Sequence, residues 1–219
     1  MEILPAIMPD TYADFEEKAG KVKGLVYFAQ IDIMDGAFVP SRSWPYVEDG
    51  AVEEEIRLPF RKELQYEVDL MVADPYRAAL AWIRAGVSRI LFHVESVADP
   101  KRFIESLLVE HSGALEVGVA IGLETSNDVL EYCLYDIDVV QFMGIARIGY
   151  QKEPFDERVL TKIAQLRQKH PETIISVDGG VNFETAPRLM RAGATRLVSG
   201  SAIYTAQNIA EAIQKFQKI

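Results

Sequence analysis

Eight short apolar runs, separated by amphipathic stretches at a repeat of roughly 25 residues, predict an α/β chain folded as a closed (β/α)8 TIM barrel. Glycines stand where intervening helices should end, at Gly86, Gly113 and Gly193. The 219 residues, 49% hydrophobic and 10% aromatic, also suit one barrel of this size. An open doubly wound sheet usually has about five or six strands, so eight units favour the closed form. The expected organisation is one domain over residues 1–219.

The strands expected from these runs cover 2–8, 26–34, 64–72, 89–95, 116–122, 138–144, 172–178 and 196–200. Helical periodicity is clearest at 74–85 after the third strand and at 100–110 after the fourth, where Asp99 is placed to cap. It recurs at 155–169 after the sixth strand, at 183–192 after the seventh and at 206–218 after the eighth, with Asp156 and Asn182 as further cap candidates. No low-complexity tract or long linker interrupts the pattern.

A formal net charge of -10 and a pI near 4.9 argue against a nucleic-acid groove and against an anionic membrane surface, because both need clustered Lys and Arg. An anionic ligand must then be held locally. Met1-Glu2-Ile3-Leu4-Pro5 has no basic leader, and no run approaches the roughly 18 to 20 apolar residues of a membrane span, so a soluble cytoplasmic protein is expected. Cys133 has no partner for an intrachain disulfide and reads as a small buried apolar residue.

In a barrel of this kind, function gathers at the C-terminal ends of the strands. Val177-Asp178-Gly179-Gly180-Val181 and Ser199-Gly200-Ser201-Ala202-Ile203-Tyr204 put glycine-bearing turns at the ends of two consecutive strands. Backbone N–H groups of Gly179, Gly180, Gly200 and Ser201 could there converge on one phosphate. Alternation sends Gln30, Asp32 and Met34 to one side of strand two, with Asp32 at the mouth and Gln30 one layer below. Asp69, His93, Glu95 and Asp178 end the third, fourth and seventh strands. Carboxylates packed so closely need either a cation among them or a proton on at least one, and both suit proton-transfer chemistry. Other polar residues have simpler roles open to them: Asp35 and Asp74 as turn or cap residues, His93 and Glu95 as a buried pair, Met34 and Met71 as barrel packing.

The run Asp32-Ile33-Met34-Asp35-Gly36-Ala37-Phe38-Val39-Pro40, followed in order by Leu70-Met71-Val72, Phe92-His93-Val94-Glu95, Gly118-Val119-Ala120-Ile121, Val177-Asp178-Gly179-Gly180-Val181 and Gly200-Ser201-Ala202-Ile203, resembles the ribulose-phosphate 3-epimerase family. The resemblance spans nearly the whole chain and implies a ribulose-phosphate-binding (β/α)8 barrel. It implies epimerisation at C3 of a ketopentose 5-phosphate, with Asp32 and Asp178 as acid and base and a small phosphorylated sugar as partner. In the family, two histidines and the same two aspartates hold a divalent metal, often zinc, and members commonly associate, so a homo-oligomer is implied as well.

The departures are as specific as the matches. Gln30 and Asp69 stand where the family has its two metal-binding histidines. Ala6 replaces a serine in Pro5-Ala6-Ile7-Met8, the segment Pro9-Asp10-Thr11-Tyr12 is longer than usual, and the strand-five Asn-Pro reads Gly122-Leu123. The loop after strand six, Gly144 to Gln151, keeps only Gly149 and Gln151 of a glycine-rich phosphate loop. Gln30, Asp32, Asp69 and Asp178 together offer only oxygen donors, which suits Mg2+ or Mn2+ better than Zn2+. The other reading has no metal, and Arg147 then becomes either an electrophile for the enediolate or a replacement phosphate clamp.

Two alternatives stand beside the epimerase. Related phosphosugar lyases and decarboxylases carry Asp-x-Lys-x-x-Asp on strand three, and here Asp69-Leu70-Met71-Val72-Ala73-Asp74 retains both acids but not the lysine. The lost histidines also fit a phosphosugar-binding protein without turnover. Trp44 and Tyr46, in the loop after strand two, are expected either as a lid or as a subunit contact.

Overall fold

The computed structural model describes residues 1–46, 56–111, 115–150 and 153–219, so Gly113 and Gln151 lie outside the described residues. Each expected apolar run forms a strand: β1 (Glu2–Ile7), β2 (Phe28–Met34), β3 (Gln65–Met71), β4 (Arg89–His93), β5 (Glu116–Ile121), β6 (Val139–Met143), β7 (Ile175–Asp178) and β8 (Arg196–Ser199). Every neighbouring pair is parallel, in chain order, and β8 closes against β1 through Glu2 to Pro5. The expected eight-stranded barrel is therefore the fold. Register aligns Asp32 with Asp69 across β2 and β3, and Met143 with Asp178 across β6 and β7.

Seven α-helices are described: α1 (Tyr12–Val22), α2 (Pro75–Ala85), α3 (Pro100–Glu110), α4 (Arg158–Lys169), α5 (Ala186–Ala192), α6 (Ser201–Tyr204) and α7 (Ile209–Gln217). Asp99 caps α3 as expected, accepting from the Arg102 N–H, and left-handed glycines end α2 at Gly86 and α5 at Gly193. Helices α4, α5 and α7 begin about one turn later than periodicity suggests, because upstream residues are committed elsewhere. Phe155 pairs with Ile145, Asp156 turns its carboxylate back onto the Arg158 N–H, and Asn182 holds the N–H groups of Glu184 and Thr185 in a turn. Asn208 caps α7. Helix α1, outside the clearest patterns, is capped by Thr11 and buries Phe15, Ala19 and Val22 on one face. Between β5 and β6 the chain makes short 3₁₀ turns at Asn127–Tyr132 and Leu134–Asp136, with Cys133 buried between them.

Outward-facing strand residues such as Ile31, Val68 and Phe92 pack with helix residues including Phe15, Trp82, Leu107 and Ile163 into one large core. Trp44 belongs to that core. It is 4% exposed, and its ring lies 5.5 to 5.9 Å from Tyr12, Phe15 and Trp82. Neither a lid nor a subunit contact describes it, since an indole buried against these rings is unavailable to solvent.

The barrel interior is unusually polar and layered. At the N-terminal end, buried Glu67 joins Arg89 Nη1 and Arg196 Nη2, each at 2.7 Å, with Glu116 and Glu2 completing the pairs. These side chains plug the bottom. One layer up stand Gln30, Asp69, Gln141 and Ser176, and the mouth holds Asp32 and Asp178. The period of two along each strand produces this stacking directly. No described helix is long and apolar enough to cross a membrane.

Candidate active site

Strand β2 delivers Gln30 and Asp32 to the interior, and β7 delivers Asp178. The Gln30 amide donates both to Asp32 Oδ1 at 2.9 Å and to Asp178 Oδ2 at 3.3 Å, so one buried amide ties the two carboxylates together. Asp69 approaches as well: Asp32, Asp69 and Asp178 each offer an oxygen within 4.8 Å of the others. Burial, then repulsion from Asp178 and Asp69, holds the Asp32 carboxyl well above the usual range. Burial and the charge of Asp69 push Asp178 up to about 7, against the pull of the Gly179 N–H, Gln30 and His93. Both shifts run the same way, toward retention of a proton in the cluster.

Asp69 is supported from two sides. Gln141 Nε2 donates to its Oδ2 at 3.2 Å and is in turn held by Ser176 Oγ at 3.0 Å. His93 Nε2 lies 3.3 Å from Oδ1, while its Nδ1 is 3.8 Å from Glu95. Burial alone would lower the His93 pKa, but Asp69 and Glu95 raise it to about 9. The His93 contacts are charge proximity rather than aligned hydrogen bonds: Asp69 Oδ1, both ring nitrogens and Gln30 Oε1 have no hydrogen-bond partner among the described residues. Glu95 accepts from the Gly122 N–H at 2.8 Å and from Thr125 Oγ1 at 2.6 Å. The expected His93–Glu95 pair is present, and it extends to Asp69.

The acids open into a cavity of about 480 Å3 whose wall includes Gly179, Gly180, Gly200 and Ser201. Gly179 (φ +95°) and Gly180 (φ +69°) adopt left-handed backbone, and a Cβ on Gly180 would lie 2.9 Å from Phe155 Cα. Their turn therefore demands glycine for both backbone and space. Gly149 (φ +85°) lines the same cavity. Arg147 pairs with residues of the cavity wall: its guanidinium makes a two-pronged pair with Glu153 and lies 5.0 Å from the Tyr150 ring, with the side chain 67% exposed. Asp35 and Asp74 take the simpler roles, Asp35 accepting from Ala37, Phe38 and Ala73 N–H groups and Asp74 capping α2 through the Arg77 N–H. Met34 and Met71 pack with Val39 beneath the mouth, and Met71 reaches the cavity wall.

Three groups here escaped the reading of sequence: Gln141, Ser176 and Lys18. A glutamine inside the apolar run Val139-Val140-Gln141-Phe142-Met143 was a legible signal, and so was Ser176, two residues before Asp178. Lys18 carried none, since it lies on a helix whose position at the mouth only the fold supplies.

As a candidate cation site, the cluster fits a hard ion. Three carboxylates, Asp32, Asp69 and Asp178, converge, and Asp69 Oδ1 is buried without a hydrogen-bond partner among the described residues, while Gln30 turns its NH2 toward Asp32 and Asp178.

A closed parallel barrel with acids and glycine turns at the mouth defines a TIM barrel with a candidate active site at the C-terminal ends of its strands. Solved structures agree on the fold. 3-Hexulose-6-phosphate synthase from Salmonella typhimurium superposes with a TM-score of 0.68 at 16% identity, covering 100% of this chain and 97% of that one. Orotidine 5'-phosphate decarboxylase from Pyrococcus horikoshii OT3 gives 0.65 at 18%, covering 99% and 97%. The particular family follows from sequence: residues 2–204 match the model of the Ribulose-phosphate 3 epimerase family, and the chain belongs to it. Ribulose-phosphate 3-epimerase of Bacillus subtilis (strain 168) is 31% identical over 223 residues, covering 99% of this chain and 98% of that protein. The Methanocaldococcus jannaschii protein of the same name is 32% identical over 208 residues, covering 93% and 83%.

Proposed function

We propose that this protein epimerises a phosphorylated ketose, of the ribulose 5-phosphate to xylulose 5-phosphate type, by proton transfer between Asp32 and Asp178. The observation that carries this reading is the single Gln30 amide bonded to both carboxylates. Inversion at one carbon needs a base on one face and an acid on the other, and a pair sharing one proton supplies both. The ionised member removes the C3 proton, leaving an enediolate. The protonated member then delivers its proton to the opposite face of C3, so the pair ends with the same proton count and the opposite assignment.

Gly179, Gly180, Gly200 and Ser201 anchor the phosphate through backbone N–H groups, with Gly149 closing the cavity beside them. Arg147 joins them by exchanging Glu153 for the phosphate, one anion for another on the same guanidinium. Gln30, Asp32, Asp69 and Asp178 would hold Mg2+ or Mn2+ in preference to Zn2+, and such a cation supplies charge stabilisation to the enediolate oxygen. His93 competes with it for Asp69. The lyase alternative loses support, because Met71 replaces the required lysine and Asp74 is engaged as a helix cap.

The test is ribulose 5-phosphate in deuterated buffer, followed by proton NMR. Exchange at C3 with formation of xylulose 5-phosphate is expected, and Asp178→Asn should slow it by at least about 1000-fold while substrate still binds. Bound substrate with no exchange, with or without added Mg2+ or Mn2+, would identify a phosphosugar-binding protein instead. Electron paramagnetic resonance of added Mn2+ tests the ligand set separately, with Asp69→Asn expected to weaken binding.

A further inference from the structure

We infer that Lys18 is the cationic anchor for the substrate phosphate, a role that rests on the phosphosugar reading above. The cavity presents Asp32, Asp178 and Glu153 to its ligand, within a chain of net charge -10. A phosphate dianion entering it meets like charge, and N–H dipoles alone must offset that repulsion unless a cation helps. Among the described residues lining this cavity, Lys18 carries the one cationic side chain. Arg147, the cation that sequence puts forward for this task, is engaged with Glu153.

The ammonium is held in place from both ends of its reach. Burial of Phe15, Ala19 and Val22 fixes α1 against the barrel, and Lys18 Nζ donates to the Met8 carbonyl at 2.8 Å and to Asp14 Oδ2 at 2.7 Å. Two of its three N–H bonds are thereby aimed, and the third serves a ligand. These contacts put Nζ at the end of β1, beside the β8 turn of the glycine cup. Ala6, two residues before Met8, lies next to Gly200, where an added Cβ would sit 3.4 Å from the Ala6 carbonyl oxygen. Tyr204 ties the same helix to α6, donating from its hydroxyl to the Lys18 carbonyl at 3.4 Å. Lys18, Gly200, Ser201 and Tyr204 thus share one wall. An ammonium acts there as a compact point charge, which needs no particular orientation of the phosphate oxygens. Asp14 orients the cation and offsets part of its charge, and both side chains remain about a quarter exposed (24% and 28%).

The experiment compares wild type with Lys18→Gln and Lys18→Arg, using NMR titration of ribulose 5-phosphate, inorganic phosphate and unphosphorylated ribulose. Loss of a charge-assisted bond predicts roughly 10- to 100-fold weaker binding of ribulose 5-phosphate and of inorganic phosphate to Lys18→Gln. Ribulose binding should be unchanged, and Lys18→Arg should recover most of the loss. Thermal melting of the two variants controls for folding. Equal affinity of Lys18→Gln and wild type for the two phosphates overturns the inference. So does a parallel loss of ribulose binding, which would mark Lys18 as merely structural. If wild type itself prefers ribulose 5-phosphate no more than ribulose, the phosphosugar reading fails first and takes this role with it.

Discussion

Replacing Gln30 by Met removes the amide that joins the two candidate acid-base groups while keeping its volume. In the parent protein that amide gives one hydrogen bond of 2.9 Å to Asp32 and a longer one of 3.3 Å to Asp178. A bond to a charged acceptor contributes about 1.5 to 3 kcal/mol, so the short one is worth about 2 and the long one about 1. Both favour the ionised carboxylate, and losing about 3 kcal/mol raises the first ionisation of the pair by about two pH units. Asp178, already held up at about 7 by burial and by Asp69, is the group whose midpoint should move furthest into the alkaline range. Stability follows the same sign. A carboxyl whose folded pKa is raised contributes stability that is present below its unfolded pKa and lost as pH rises through the folded value. The deficit of Gln30→Met against the parent therefore widens between about pH 7, where Asp178 ionises in the parent, and about pH 9. The assay is carbon-13 NMR titration of labelled aspartate carboxyls in chelator-treated protein, which reads protonation without depending on turnover. Midpoints that stay put, or move to lower pH, would refute the idea that this amide sets the proton affinity of the pair.

Glu67→Gln leaves Arg89 and Arg196 buried at the barrel floor without their shared anion. Urea unfolding should show a loss of about 3 to 5 kcal/mol. Gly180→Ala forces a Cβ to 2.9 Å from Phe155 Cα at a φ of +69°, so a strain of about 1 to 2 kcal/mol should displace the turn. The measurable result is weakened ribulose 5-phosphate binding by calorimetry in a protein that still melts cooperatively. Glu95 has its pKa lowered from 4.5 to about 2, because the opposing effect of burial is outweighed by nearby His93 and by the bonds from Thr125 and the Gly122 N–H. Its stabilisation is present above pH 4.5 and lost as pH falls toward 2. Glu95→Gln should accordingly unfold more easily than the parent by about 2 kcal/mol at pH 6, with the gap closing at low pH in parallel denaturant titrations.

Much of this site was legible because strands report on themselves. A period of two is enough to send Gln30, Asp32 and Met34 inward together, and the barrel assigns strand ends to function before any contact is known. The turn and cap roles of Asp35 and Asp74 were legible in the same local way. What stayed hidden was contact between elements. His93 reaches Asp69 because register pairs Asp69 with Leu91, which brings the residue two further along β4 to the same layer. Arg147 pairs with Glu153 across a loop, and no local pattern encodes that pairing. Trp44 reads as exposed because its neighbours Ser43 and Pro45 suggest a loop, yet three aromatic rings from α1 and α2 enclose it. Lys18 depends on both the helix and its docking, two steps beyond periodicity.

The loss of two imidazoles could mark a barrel drifting out of catalysis, and the energetics of its interior argue otherwise. Buried carboxylates are costly: Asp32 and Asp178 are held far from their ordinary pKa values, and Asp69 is fully enclosed. Apolar residues of similar volume at 32 and 178 would relieve that cost, since replacing buried charges by packed hydrophobic groups is often neutral or stabilising. This chain instead puts hydrogen-bonding side chains at both altered positions and ties each into the acids, Gln30 to Asp32 and Asp178, Asp69 to Gln141 and His93. Strain kept in a pocket while the surrounding core packs well is what an active site requires and what a passive phosphate cup does not. The apolar variant Asp32→Leu, which leaves the Asp69–His93 pair in place, should be more stable than the parent in urea and inactive in deuterium exchange, whereas a parent that loses stability on this change would show that the acid serves the fold itself.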